Sequence, residues 1–238
     1  KGYWADFDSA LKENDDSNIL YYPSNRPLQG ANGIASLVAE QLEPMLNSGT
    51  CDNGCIFITH STGDLVMRYI MANKNSLLGS SLANRLNVTA FIDMAGAGGG
   101  TELASLGMDV INGVNSGTQV IETLLEWAGF SISLGIDPGV LNDLQPTVAR
   151  NTAVNNIPAI PKLRIASTGD EIYGFLTHLF IKGGDDSVVP LHSACGAAND
   201  GNYDSCTKDL RIDGRVTSVS KAPSSSQLYD YHYPLIMS

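Results

Sequence analysis

Residues 54–71 read Gly54-Cys55-Ile56-Phe57-Ile58-Thr59-His60-Ser61-Thr62-Gly63-Asp64-Leu65-Val66-Met67-Arg68-Tyr69-Ile70-Met71, and they set the architecture expected of the whole chain. Gly54–Thr59 is a β-branched and aromatic run of strand length, the pattern of a buried strand. From Asp64 to Met71 apolar residues return at helical spacing. Between them lies a small-x-Ser-x-Gly turn, Thr59 to Gly63, joining strand to helix. A serine on so tight a turn sits in strained backbone geometry, its hydroxyl raised above the sheet edge. Positions two before and two after must be small, or their side chains collide. Gly63 meets this requirement, and Thr59 is bulkier but tolerable. The Thr62 amide, at the helix start, points toward the place where an oxyanion would develop. Ser61 is thus the candidate nucleophile and Thr62 a candidate oxyanion donor.

The rest of the chain continues the alternation. Tyr3–Glu13 carries Trp4, Phe7 and Leu11 at helical spacing. Asn18–Tyr22 is an apolar run stopped by Pro23, which predicts a strand. Ala31–Leu46 places Ile34, Leu37, Val38, Leu42 and Leu46 on one helical stripe. Asn87–Met94 and Lys162–Ala166 predict further strands, the first running into the loop Gly96-Ala97-Gly98-Gly99-Gly100. Alternating strands and helices, with strands apolar nearly throughout, predict a parallel sheet covered on both faces. The segment from about 105 to 160 breaks the rhythm. It holds one apolar helical pattern, Val120–Trp127, followed by a looser apolar region. It reads equally well as a decorated crossover helix or as a lid whose apolar face covers a substrate pocket.

Composition narrows the classes. The chain has 238 residues, 14 Lys+Arg against 25 Asp+Glu, and 43% apolar residues, which suits one folded domain over 1–238. A pI near 4.6 without basic clusters speaks against a nucleic-acid partner. No window of 18 consecutive apolar residues is present. Cys51/Cys55 and Cys195/Cys206 form two local pairs. Two disulfides are the simplest of the three connectivities. Buried thiols or a zinc site are the alternatives, though the spacings match zinc knuckles poorly. Disulfides imply an oxidising compartment, periplasmic or extracellular, with any export signal already removed. Asn87-Val88-Thr89 is a glycosylation sequon, informative only in a eukaryotic source. Gly96–Gly100 is not a phosphate loop, because no Gly-Lys-Ser/Thr follows. The Asp-rich stretch 200–213 lacks the spacing of a calcium loop, and no cofactor or metal is expected.

Four segments together resemble the α/β-hydrolases, in particular bacterial lipases and esterases. His60-Ser61-Thr62-Gly63-Asp64-Leu65-Val66-Met67-Arg68 is similar to their His-Ser-x-Gly-Gly-Leu-Val elbow, with Asp64 in place of the second glycine. Met94–Ala104 is similar to the turn after the next strand, and Asp143-Leu144-Gln145-Pro146 to their Asp-Leu-Thr-Pro. Gly184-Asp185-Asp186-Ser187-Val188-Val189-Pro190 resembles their acid loop. The resemblance implies an α/β-hydrolase fold: a mostly parallel sheet, helices on both faces and a lid-like insertion. It also implies a serine ester hydrolase with chain order Ser, Asp, His.

On that resemblance Asp186 is the expected acid, with Asp185 and Asp170 as alternatives. Among four histidines, His60 adjoins Ser61 but is structural in the family, and His178 lies in an apolar stretch. His192 follows the acid loop and is second choice. His232, in a predicted C-terminal loop before a last apolar helix, stands where the family places its base. Tyr229, Tyr231 and Tyr233 flank it and read as pocket lining or as a surface segment. The family's second oxyanion amide comes from a strand preceding a helix that carries a Trp. Tyr3-Trp4 resembles the start of that helix, so this strand is expected before residue 1, or its task falls to the Tyr22–Arg26 loop. The expected substrate is a small-molecule or lipid ester, acyl lipids first, reached through transient contact with a lipid interface by a monomer. A short-chain carboxylesterase, an acyltransferase on the same triad, or a catalytically silent binding protein are the alternatives.

Overall fold

The computed structural model describes residues 19–114, 137–152, 160–167, 180–181, 183–186, 188–197, 199–200 and the backbone of 232–237. Ile34–Asn47 forms helix α1, Cys55–His60 strand β1, Thr62–Arg85 helix α2, Val88–Met94 strand β2 and Glu102–Ile111 helix α3. Pro146–Asn151 forms α4, Lys162–Ser167 β3, Leu191–Ala194 α5 and His232–Met237 β4. The described strands make one sheet of order β1-β2-β3-β4, and every neighbouring pair is parallel. Parallel neighbours need a crossover between them. Here α2 carries the chain from β1 to β2, which fits the α/β class.

The amphipathic stripe predicted for α1 is the face it buries: Ile34, Ala35, Val38, Ala39, Leu42 and Leu46. It packs against α2, whose first three turns bury Leu65, Val66, Met67, Ile70 and Met71. Beyond Ala72 the apolar residues of α2 thin out to Leu77, Leu78, Leu82 and Ala83, and helical geometry lapses at Asn73 and Gly79. That is why the apolar pattern marked only its first part. One sheet face sets Phe57 opposite Phe91 and Thr59 opposite Asp93, with Lys162 and Arg164 next across. Most of that face is buried, and it carries three charged side chains: Asp93, Lys162 and Arg164 are each at most 1% exposed.

Three sequence expectations change. Residues 19–22 are not a strand. The Tyr21 amide donates to Gln41 Oε1 at 2.9 Å, and Gln41 Nε2 donates to the Tyr21 carbonyl at 2.7 Å. A glutamine on α1 thus satisfies the backbone that an adjacent strand would otherwise pair. Within the segment 105–160, α3 buries Leu103, Ala104, Gly107 and Val110, a helix the loose pattern did not reveal. His232 begins strand β4 instead of lying in a loop before a helix. A six-residue apolar run carries no period that separates the two. The predicted helix 3–13 and the lid pattern 120–127 lie outside the described residues, and no described helix is long and apolar enough to cross a membrane.

Candidate active site

Among the described residues, only Ser61 (φ 51°) and Ala95 (φ 47°) hold positive φ without being glycine. Both sit at the carboxyl end of the sheet, directly after β1 and β2. Ser61, with ψ −123°, also caps the N-terminus of α2. The Ser61 amide donates to the Met94 carbonyl at 3.2 Å, and the Ala97 amide donates to the Ser61 carbonyl at 2.9 Å. The Ala95 amide donates onward to Ile165 at 2.8 Å. Strain of this kind concentrates at functional sites and persists only where the surroundings over-determine it. The crevice beyond the carboxyl ends of parallel strands is also where open α/β sheets bind ligands. Thr62 takes the first helical position, where no carbonyl one turn earlier can accept its amide.

A β-carbon at Gly63 would meet Thr59 at 3.6 Å and the Tyr22 hydroxyl at 3.7 Å, ordinary contacts, so the structure does not itself demand the residue without a side chain that the turn pattern predicts there. Burial pushes the Tyr22 pKa up to about 12, so the hydroxyl stays protonated. The turn's polar foundation is ionic. Thr59 Oγ1 donates to Asp93 Oδ1 at 2.8 Å. Lys162 Nζ reaches Asp64 Oδ1 at 2.5 Å, and Arg164 Nη1 lies 3.4 Å from Asp64 and 3.3 Å from Asp93. Arg164 also donates to the Ala194 carbonyl at 3.1 Å, and Lys162 stands 4.6 Å from the centre of the Phe91 ring. Burial, then the charge of Asp64, raises the Asp93 pKa to about 7. Asp64, the residue that replaces the second glycine of the elbow pattern, is thus one corner of a buried ion cluster. The sequence did not mark Asp93, Lys162 or Arg164; a Lys-x-Arg alternation in a strand is equally the mark of a solvent-facing edge.

The acid loop docks on the start of α3, where Thr101 Oγ1 donates to the Val188 carbonyl at 2.7 Å. Asp186 Oδ1 accepts the amides of Val188 at 3.1 Å and Val189 at 2.7 Å. Burial raises its pKa while those bonds oppose the shift. Asp143 secures another loop, accepting the Leu28 amide at 2.7 Å.

The histidines separate clearly. His60 ends β1, and burial pulls its pKa below the ordinary value. His192 is fully buried, with Arg150 Nη2 2.7 Å from Nδ1 and Glu102 Oε1 2.8 Å from Nε2. A guanidinium only donates, so Nδ1 accepts and Nε2 carries the proton toward Glu102. Both His192 nitrogens are engaged, and neither Arg150 nor Glu102 was marked by the sequence, since each lies tens of residues away in the chain. Among the described side chains, no histidine meets the Ser61 hydroxyl.

His232 pairs with Lys162, which pairs with Phe91, three residues short of Met94. At about 3.3 Å per residue and 4.8 Å per strand, its backbone lies on the order of 15–20 Å from Ser61. An imidazole side chain does not span that distance. Ser61 and Thr62 therefore share one turn, Asp186 lies on a loop docked at α3, and the β4 register does not bring His232 to them. His178, Asp170 and Tyr229, Tyr231 and Cys206 lie outside the described residues.

Cys51 and Cys55 form a disulfide, and Cys195 is also disulfide-bonded. Among the described residues, no group of three or more His, Cys, Asp and Glu converges as a metal site would. A cavity of about 440 Å³ opens at the opposite, amino end of the sheet, lined by Asp52, Lys74, Arg85, Asn87, Val88 and Ile160 among others.

No protein-family model matches the sequence, and no curated protein matches it. Among solved structures, the chain is similar to the Bacillus licheniformis lipase BlEst2 in its mature form, with TM-score 0.49 and 16% identity over 73% of this chain and 63% of that one. It is similar to the propeptide form of the same lipase with TM-score 0.47 and 16% identity, over 73% of this chain and 35% of that one. The chain spans less than two thirds of the length of either structure.

Proposed function

We propose that the chain is a serine ester hydrolase of lipase type, acting on carboxylic esters of acyl lipids. The observation that carries this reading is Ser61 itself: a non-glycine residue at φ 51°, ψ −123°, on the turn from a parallel strand into a helix. Ser61 Oγ attacks the ester carbonyl and forms a tetrahedral oxyanion facing the Thr62 amide. The base takes the Ser61 proton and returns it to the departing alcohol; water then attacks the acyl-enzyme and releases the acid. Asp186 and His232 are the proposed acid and base, from the Ser, Asp, His order of the resembling family and from the engagement of both His192 nitrogens. For His232 to serve, residues 232–237 must sit closer to the carboxyl edge during turnover than their pairing with β3 allows. The Cys51–Cys55 disulfide supports a secreted or periplasmic location.

The position of His232 in β4 favours one competing reading, a catalytically silent binding protein on the same scaffold. A fluorophosphonate probe and p-nitrophenyl esters from acetate to palmitate separate the two. Labelling lost in Ser61→Ala, with long-chain preference, supports the lipase reading; a short-chain preference makes it a carboxylesterase. Labelling that survives His192→Ala and is lost in His232→Ala assigns the base, and the reverse pattern moves it to His192. No labelling and no turnover leave the silent reading.

A further inference from the structure

We propose that the buried quartet Asp64, Asp93, Lys162 and Arg164 positions the nucleophile, clamping the strained Ser61 turn from both flanks. The inference rests on Ser61 being the nucleophile and extends that reading to the residues that hold it. On the strand side, Thr59 lies two residues before Ser61, and its hydroxyl is bound to Asp93 at 2.8 Å. On the helix side, Asp64 lies three residues after Ser61 and is bound to Lys162 at 2.5 Å. Arg164 bridges the two carboxylates at 3.3 and 3.4 Å, so both flanks are referred to one strand, β3. The loop that grips Ser61 rests on the same groups. A β-carbon added at Gly96 would run into the Asp93 carboxylate, and one at Gly98 into that of Asp64. Ala97, between them, donates its amide to the Ser61 carbonyl at 2.9 Å.

All four side chains are 0–1% exposed. A buried ion pair is weak evidence for stability, because apolar replacements of similar volume often do as well. What needs explaining is the placement. Arg164 also holds the Ala194 carbonyl, but the contacts of Asp64 and Asp93 reach residues that flank Ser61 and the loop that holds its backbone, and a strained turn endures only where its neighbours over-determine it. The quartet supplies that over-determination. Its members touch neither substrate nor the reacting atoms; they act through the geometry of Ser61.

The test uses the full chain and a fluorophosphonate, with the labelling kinetics resolved into reversible affinity (Ki) and inactivation rate (kinact), and the melting temperature recorded alongside. Thr59→Val keeps the side-chain shape and removes only the hydroxyl bond to Asp93. Asp64→Asn with Lys162→Met removes one charge of each sign. Both are expected to remain folded and to lower kinact at least tenfold at unchanged Ki, while Thr59→Ser restores the parental rate. A parental kinact in folded Thr59→Val overturns the proposal, as does one in the folded double variant. Equal loss in Thr59→Val and Thr59→Ser overturns it too, since packing alone would then explain the effect. If the double variant does not fold, the Thr59 series decides. A parent chain that is never labelled at Ser61 overturns the nucleophile reading itself, and the positioning role with it.

Discussion

Ser61 holds a backbone conformation that costs a residue with a side chain on the order of 1–3 kcal/mol. Glycine carries no such penalty. Ser61→Gly therefore removes strain and hydroxyl together, offset by about 0.5–1 kcal/mol for the freer unfolded chain. The expected outcome is a melting temperature raised by a few degrees, at about 2–4 °C per kcal/mol for a chain of this size, with fluorophosphonate labelling abolished. Ser61→Ala should lose labelling without the gain in stability. An unshifted melting temperature in Ser61→Gly would show that the turn is relaxed in solution. Ser61 was legible because a strand, a tight turn and a helix are written contiguously around it. The partners of Asp64 were not, since Lys162 and Arg164 lie about a hundred residues on and alternate with apolar neighbours as exposed charges also do.

Strand β2 brings a carboxylate into the interior, and that choice has a pH signature. The Asp93 pKa is raised to about 7, by burial first and the Asp64 charge second, against the opposing pull of Lys162, Arg164 and Thr59. Its folded-state pKa lies above the unfolded value, so its stabilising contribution is full below the ordinary carboxylate range and is lost as pH rises through about 7. Melting temperature measured from pH 4 to 8 should therefore show a falling component across this window, and Asp93→Asn should remove it. A slope unchanged in the variant would assign the effect to other buried carboxyls, such as Asp143 or Asp186, whose pKa values burial also raises. Helix α1 tests the packing in the same terms. Leu42, 1% exposed, faces α2, and Leu42→Ala should cost about 2–5 kcal/mol in denaturant unfolding. That helix was readable because its apolar period and its buried face coincide. Residues 19–22 misled because their apolar character is real, but they take no strand conformation, and Gln41 meets the Tyr21 backbone.

Across the whole molecule the two ends of the sheet are built differently. Among the described residues, the carboxyl end holds both strained non-glycine positions, Ser61 and Ala95, and the glycine loop between β2 and α3. The amino end holds the Cys51–Cys55 disulfide and the exposed Arg85–Asp52 ion pair at 3.1 Å. Asp52 lies inside the disulfide loop, so the covalent link and the ion pair together join the start of β1 to the end of α2. An ion pair that exposed contributes about 0–1 kcal/mol. A disulfide closing a loop this short contributes about 2 kcal/mol in the loop-entropy picture. Replacing both cysteines, Cys51→Ala with Cys55→Ala, should lower the melting temperature by roughly 4–8 °C. The labelling rate at a temperature where the variant remains folded should stay unchanged, because β1 separates the disulfide from Ser61. Thermal unfolding and fluorophosphonate kinetics on one sample check both halves of this expectation. A labelling rate that falls while the chain is still folded would mean that β1 transmits the loss to the elbow. Stability and chemistry would then not be divided between the two ends of the sheet, and the ion cluster would not be the turn's main support.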